Sequence, residues 1–176
     1  RTEIKRVLIF FGGIDKHGLT EMAIKAFMDK HLSHISLDIV AGIQTTNISN
    51  VKKLAEKRGN SEIHKSLPTL AGLMSRSDLA IGGGGSTTWE RACLGLPSIV
   101  TAISDNQYMF NRALDRDNYI VLSKSLDKLK SVDLTNSVIE LLNKKDRIEK
   151  ISNKCFKLVD GNGAARIAEK VLGVEN

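Results

Sequence analysis

Apolar positions along the chain fall into two alternating patterns. RVLIFF (Arg6–Phe11) is an unbroken apolar run stopped by Gly12 and Gly13, as a strand buried on both faces would be. SLDIVAG (Ser36–Gly42), DLAI (Asp78–Ile81), SIVTAI (Ser98–Ile103) and YIVLS (Tyr119–Ser123) read as further strands, and SEIHKS (Ser61–Ser66) as a weaker one. Between them the apolar spacing turns helical. LTEMAIKAFMDKHL (Leu19–Leu32) carries an apolar stripe through Met22, Ala23, Ala26 and Phe27, and ISNVKKLAEKRG (Ile48–Gly59) stops at its glycine. LPTLAGLMSRS (Leu67–Ser77) has Pro68 near its first turn, where a missing N–H costs nothing. TTWERACLG (Thr87–Gly95) and NQYMFNRALDRD (Asn106–Asp117) complete the alternation, and only helical signals follow from Val132, ending in GNGAARIAEKVLG.

Strict alternation of strand and helix implies right-handed crossovers and a parallel sheet covered on both faces. The expected fold is α/β: a Rossmann-like, doubly wound, six-stranded sheet in the order 3-2-1-4-5-6, in one domain over residues 1–176, with the helices of 132–176 packing on the sheet. That order has a mechanical consequence. Chain direction reverses between the first and fourth strands, and ligands bind outside the carboxyl ends of strands at such a switch point. The loops meeting there, FGGIDKHG and GGGGSTT, are the most glycine-rich of the chain.

The second loop carries the candidate chemistry. Glycines let a ligand approach the backbone, Ser86, Thr87 and Thr88 are helix-capping types with hydroxyls, and the amide groups at a helix start attract anions. Gly82–Thr88 therefore suits a diphosphate. Two named motifs are absent. FGGIDKHG lacks the Gly-x-Gly-x-x-Gly spacing of dinucleotide folds, and no Gly-Lys-Ser/Thr follows Gly85, so NAD and Walker-type ATP sites are disfavoured. Glu90, in the first turns of the helix, could accept from two ribose hydroxyls; equally, it could close a capping box or pair with Arg91.

Composition narrows the picture slightly. The chain has 176 residues with a net charge of +6, yet its lysines and arginines are spread along the whole length, which suits an anionic small ligand and carries no nucleic-acid reader motif. No apolar run reaches the roughly 20 residues of a membrane span, no signal peptide opens the chain, and Cys93 and Cys155 lack metal-type spacing, so a cytoplasmic protein with reduced thiols is expected. His17, His31, His34 and His64 show no metal spacing, and no Asp-x-Asp motif is present; neither a metal nor another cofactor is implied. Cys93 and Trp89 read as packing residues, Asp160 as the shaper of a turn before the last helix, and the sequon at Asn47 lacks a secretory context.

DLAIGGGGSTTWERACLGLPSIVTAISDNQ, together with FGGIDKHGLT and LVDGNGAARI, resembles the carboxyl-terminal half of the UDP-sugar hydrolases of pseudaminic acid synthesis. These are related to spore-coat polysaccharide proteins and to the GT-B glycosyltransferase that makes lipid II. The resemblance covers nearly the whole chain and implies one lobe of a GT-B fold. It implies that Gly83, Gly84, Gly85, Ser86, Thr87 and Thr88 meet the diphosphate of a UDP-sugar, with Gly12 and Gly13 approaching the sugar-phosphate region. It further implies that Glu90 holds the ribose, the backbone around His64 and Lys65 the uracil edge, and Asn106 and Gln107 the sugar or its phosphate. The family's general base, a histidine of the amino-terminal lobe, has no counterpart here, and His17 matches no catalytic position. The chain is thus expected to bind UDP and, alone, to hydrolyse nothing. A GT-B transferase lobe and a non-catalytic Rossmann-like interaction domain are the competing expectations.

Overall fold

The computed structural model describes residues 1–65 and 67–173, so Ser66 of the expected third strand and residues 174–176 lie outside the described residues. Six parallel strands form the main sheet: β1 (Arg6–Phe10), β3 (Ser36–Ala41), β5 (Ser61–Lys65), β6 (Leu79–Gly83), β7 (Ser98–Thr101) and β8 (Val121–Leu122). Their order, β5-β3-β1-β6-β7-β8, is the doubly wound arrangement expected from the alternation. Register follows the apolar runs: Val7 lies between Leu37 and Leu79, and Ile9 between Ile39 and Ile81.

Alternate residues of these runs feed two cores. Val7, Ile9, Leu37, Ile39, Leu79, Ile81 and Ile99 point to one face, where α1 (Leu19–Ala26), α2 (Ile48–Arg58) and α6 (Ser131–Asn143) bury Ala23, Ile24, Val51, Leu134 and Val138 against them. Leu8, Val40 and Ala80 point to the other, under Leu73 and Met74 of α3 (Ala71–Arg76) and Leu96. A strand apolar at every position is thereby explained, since both of its faces are covered. Truncating one such side chain, Ile9→Ala for instance, should cost about 2–5 kcal/mol. On the second face α7 (Lys145–Leu158) lies against α4 (Thr87–Cys93) through Ile151, Cys155 and Ala92. The last helix, α8 (Gly163–Leu172), has no buried residue.

The structure differs from the sequence reading in four local places. The first helix ends at Ala26, because the Asp29 carboxylate accepts from the His31 N–H (2.8 Å) and caps a separate 3-10 turn over Lys30–Leu32. The third helix starts only at Ala71, whose N–H donates to Thr69 Oγ1 (3.2 Å), leaving Pro68 ahead of it. The sixth strand shrinks to Val121–Leu122. Finally, FGGIDKHG is not all loop. Ile14–Asp15 (β2) pairs in parallel with Gln44–Thr45 (β4), and the buried Asp15 carboxylate accepts from the Leu19 and Thr20 N–H groups (2.9 and 2.8 Å), anchoring the start of α1. A Cβ on Gly42 would sit 2.5 Å from the carbonyl oxygens of Gly12 and Gly13, so the loops after β1 and β3 touch backbone to backbone.

Candidate nucleotide site

The four consecutive glycines divide into three that serve the protein and one that faces outward. None of them has a positive φ. Gly82 and Gly83 are the last residues of β6, and Gly84 still donates its N–H to Thr101 O (3.1 Å). The space a Cβ would need is already filled, at Gly82 by the Phe10 carbonyl oxygen (2.2 Å) as well as by a side chain. At Gly82 it would lie 2.5 Å from Arg91 Nη1, at Gly83 2.7 Å from Ile103 Cδ1, and at Gly84 2.1 Å from Asn111 Nδ2. At Gly85 the nearest atom is Gln107 Nε2 at 3.7 Å, an ordinary contact. Close packing, rather than backbone freedom, accounts for the first three.

That packing gives the segment a polarity. Every carbonyl from Gly83 to Ser86 is occupied: Gly83 O accepts from Arg91 Nη2 (2.8 Å) and Gly84 O from Asn111 Nδ2 (3.2 Å), while Gly85 O and Ser86 O take the first bonds of the helix from the Thr88 and Trp89 N–H groups (both 3.0 Å). Among the described residues, the N–H groups of Gly85, Ser86 and Thr87 donate to nothing in the protein. A run of donors whose neighbouring acceptors are all consumed is suited to an anion and poorly suited to a cation.

Two residues beneath this segment escape sequence reasoning. Arg91, only 2% exposed, donates from Nη2 to Gly83 O and to Thr88 Oγ1 (3.0 Å). Burial pushes its guanidinium down to about 10, which leaves it protonated at neutral pH. Asn111, fully buried on α5 (Asp105–Arg116), joins Gly84 O to Gln107 O (2.8 Å). The buried side-chain polar atoms without a partner among the described residues are Arg91 Nε and Asn111 Oδ1, and both belong to side chains that touch the glycine segment.

Glu90 stands exposed in the first turn of α4. Neither structural role open to it from sequence is realised: no capping box forms at Ser86, and Arg91 turns into the core instead of pairing with it. Among the described residues its carboxylate has no hydrogen-bond or ion-pair partner, and it stands one turn from the unpaired amides. Gln107 Oε1 accepts from the Ile103 N–H (3.1 Å), and Asn106 Oδ1 accepts from Ser104 Oγ (2.5 Å), which sets both at the start of α5 beside the glycine segment. Gly12 has φ 97° and Gly13 is exposed, at the carboxyl end of β1 next to β6.

His64 and Lys65 end β5, on the far side of β3. The His64 ring turns away from the strand ends: its Nε2 lies 2.9 Å from Asp38 Oδ1, in a network where Arg76 and Arg6 also hold Asp38 (2.6 and 3.1 Å). Asp38, Glu62 and His64 present metal-type atoms within 4.8 Å of one another, but two guanidinium groups already neutralise the buried carboxylate there. Just past β5, an apolar hollow of about 380 Å³ opens between Phe10, Gly13, Val40, Ile43, Leu67 and Pro68. On the other side of the glycine segment, His17, Ser104, Asp105, Tyr108 and Asp127 line a wider hollow of about 620 Å³. Trp89, 41% exposed, packs its ring on Phe110 at 5.2 Å between centroids, and Asp160 closes its turn by accepting from the Asn162 N–H (3.0 Å).

Comparison with known proteins agrees with this geometry at the level of fold. No family model matches the chain. It is 28% identical over 129 residues to an uncharacterized protein of Methanocaldococcus jannaschii, covering 72% of this chain and 25% of that protein. It is 24% identical over 108 residues to the spore coat polysaccharide biosynthesis protein SpsG of Bacillus subtilis, covering 61% of this chain and 32% of that one. The chain thus spans a quarter to a third of the length of these curated relatives. Among solved structures, MurG of Acinetobacter baumannii superposes with a TM-score of 0.75 at 16% identity, over 98% of this chain and 53% of that one. UDP-GlcNAc 2-epimerase of Neisseria meningitidis, solved with UDP-GlcNAc bound, does so with a TM-score of 0.67 at 18% identity, over 98% of this chain and 45% of that one. The chain has the Rossmann-like lobe architecture of GT-B proteins, and its length corresponds to about half of such a molecule.

Proposed function

We propose that this chain is the nucleotide-binding lobe of a UDP-sugar hydrolase acting in surface polysaccharide or nonulosonic acid synthesis. The observation that carries the reading is the donor-only face of Gly85–Thr87 at the switch point, one helical turn from the free Glu90 carboxylate. An anion site beside a lone carboxylate suits a ligand with a phosphate at one end and a vicinal diol next to it, as in a nucleoside diphosphate. The diphosphate would lie on Gly83–Thr88 with Gly12 and Gly13 opposite, and the ribose hydroxyls on Glu90. The uracil edge would meet the backbone of His64 and Lys65, with its ring over the neighbouring apolar hollow. Asn106 and Gln107 would face the sugar. SpsG, by its name a polysaccharide biosynthesis protein, and an epimerase holding UDP-GlcNAc support this choice of nucleotide.

In the reaction water adds to the sugar and UDP leaves. Negative charge grows on the departing diphosphate, and amides already oriented toward it stabilise that charge without reorganising. The base that activates water would come from the rest of the protein. A transferase handing the sugar to an acceptor would use the same lobe, and the fold shared with MurG favours it as the second reading.

Ligand-dependent melting tests the nucleotide assignment. A ligand at about 100 times its Kd adds roughly 2.7 kcal/mol, or several degrees in Tm for a chain of this size. UDP should produce that shift, and ADP and NAD much less. Equal shifts with all three, or none with UDP, would overturn the assignment.

A further inference from the structure

Arg91 is a buried cation without a counter-anion. The two groups it touches, the Gly83 carbonyl and the Thr88 hydroxyl, are neutral, its Nε has no partner, and no carboxylate forms an ion pair with it among the described residues. Glu90, its chain neighbour, influences it only through space. Taking a guanidinium out of water is expensive, and an apolar side chain of similar size would fill the same space at lower cost. The position of the charge suggests what offsets that cost. Arg91 reaches from α4 back under β6, and its fork joins the first residue of Gly83–Thr88 to the last. The absence of a Cβ on Gly82, where one would lie 2.5 Å from Nη1, gives it room.

This placement has two physical effects on the segment. By holding the Gly83 carbonyl inward, the guanidinium removes an acceptor that would repel an anion. Buried and bonded to the residues on either side of Gly85–Thr87, it adds a positive field that water screens little. An anion seated on those amides would become the counter-charge that the protein itself does not provide.

We propose that Arg91 is a positioning residue that sets the site's preference for phosphorylated over uncharged nucleosides, acting through the glycine segment without touching the ligand. This rests on the UDP reading above. It also explains why a site with neither a lysine of the P-loop type nor an Asp-x-Asp metal motif could hold a diphosphate: the cation is built into the core behind the loop.

The test is the ratio of UDP to uridine affinity in the 176-residue chain, measured by calorimetry for the wild type, Arg91→Met and Arg91→Lys. Arg91→Met removes the charge and keeps most of the volume. It should weaken UDP roughly tenfold or more while uridine changes less than about twofold, so that the ratio falls. Arg91→Lys keeps a charge and loses the fork, and should lie between the two. A residue that only packs the loop would change both ligands together, leaving the ratio at its wild-type value, and that result overturns the proposal. If Arg91→Met does not fold, the Arg91→Lys ratio decides by the same criterion. A wild-type chain that binds no UDP defeats the nucleotide reading itself and this proposal with it, an outcome distinct from an unchanged ratio in a chain that binds.

Discussion

Two charges buried against the main sheet, on Asp38 and Arg91, are treated in opposite ways. Asp38, with none of its surface exposed, is surrounded by Arg6, Arg76 and His64, so that four hydrogen bonds from three cationic or ring donors reach one carboxylate. Arg91, almost as deeply buried, meets two neutral oxygens and leaves an N–H unpaired. The first cluster is complete and ties β1, β3, β5 and α3 together. The second is incomplete at the one place where loops converge on the switch point. A satisfied buried charge indicates architecture; an unsatisfied one beside free amides indicates a site.

The sharpest way to break this comparison is to delete each charge in turn and measure stability. Asp38→Ala strands three positively charged or polar groups and should cost about 3 kcal/mol in urea unfolding, with UDP affinity within about twofold of wild type. Arg91→Met should cost less, about 1–2 kcal/mol, because removing an uncompensated buried charge offsets part of the cost of leaving the Gly83 carbonyl and the Thr88 hydroxyl without their donor. Equal losses from the two would remove the distinction.

Neighbouring glycines sharpen it next. Gly84→Ala drives a Cβ to 2.1 Å from the Asn111 amide and should destabilise the fold by about 1–3 kcal/mol. Gly85→Ala meets only Gln107 at 3.7 Å, so its stability should stay within about 0.5 kcal/mol while UDP binding weakens. Glu90→Gln separates binding from folding on the same helix. The carboxylate supports nothing in the protein, so Tm should be unchanged, whereas loss of a charged acceptor for ribose should weaken UDP by roughly tenfold.

The smallest expected effect is in acid. Burial alone would push the Asp38 carboxyl up, but hydrogen bonds from Arg76, His64 and Arg6 outweigh it and hold the group below the usual carboxylate range. Asp160 is held at about 2 by the Arg166 side chain and the Asn162 N–H. Both values lie below those of the unfolded chain, so their contribution is complete above about pH 4 and is lost as pH falls through the folded-state values. Unfolding midpoints should therefore decline below about pH 4, and more gently in Asp38→Asn. A flat profile in the wild type would contradict the assigned network.

Much of this was legible in the sequence. Unbroken apolar runs such as RVLIFF and SIVTAI report strands covered on both faces, and their alternation with helices is that of a doubly wound sheet, whose expected order the structure shows. Glu90 was nameable as a candidate because its type and its place after the glycines both fit a diol, although a capping box or a pair with Arg91 fitted them equally. The roles of Asp38, Arg91 and Asn111 were not legible. Asp38 and Asn111 depend on contacts between elements far apart in sequence, and Arg91, though near its partners in the chain, turns back under the end of β6 where its charge and its place beside Glu90 suggest an exposed residue. Asn111 left one trace, its spacing of four from Gln107, which puts both amides on one helix face. The reason for the glycines was also hidden. A run of four suggests freedom of the backbone, whereas three of them give room to Arg91, Ile103 and Asn111.

Amide shift mapping tests the central claim most directly. With the chain labelled in nitrogen-15 and titrated with UDP, the resonances of Gly85, Ser86 and Thr87 should move most, followed by Glu90, while those around Asp38 and along α7 stay in place. Shifts concentrated on the basic surface of Lys144–Lys154, or no saturable shift at Gly85–Thr87, would contradict the account.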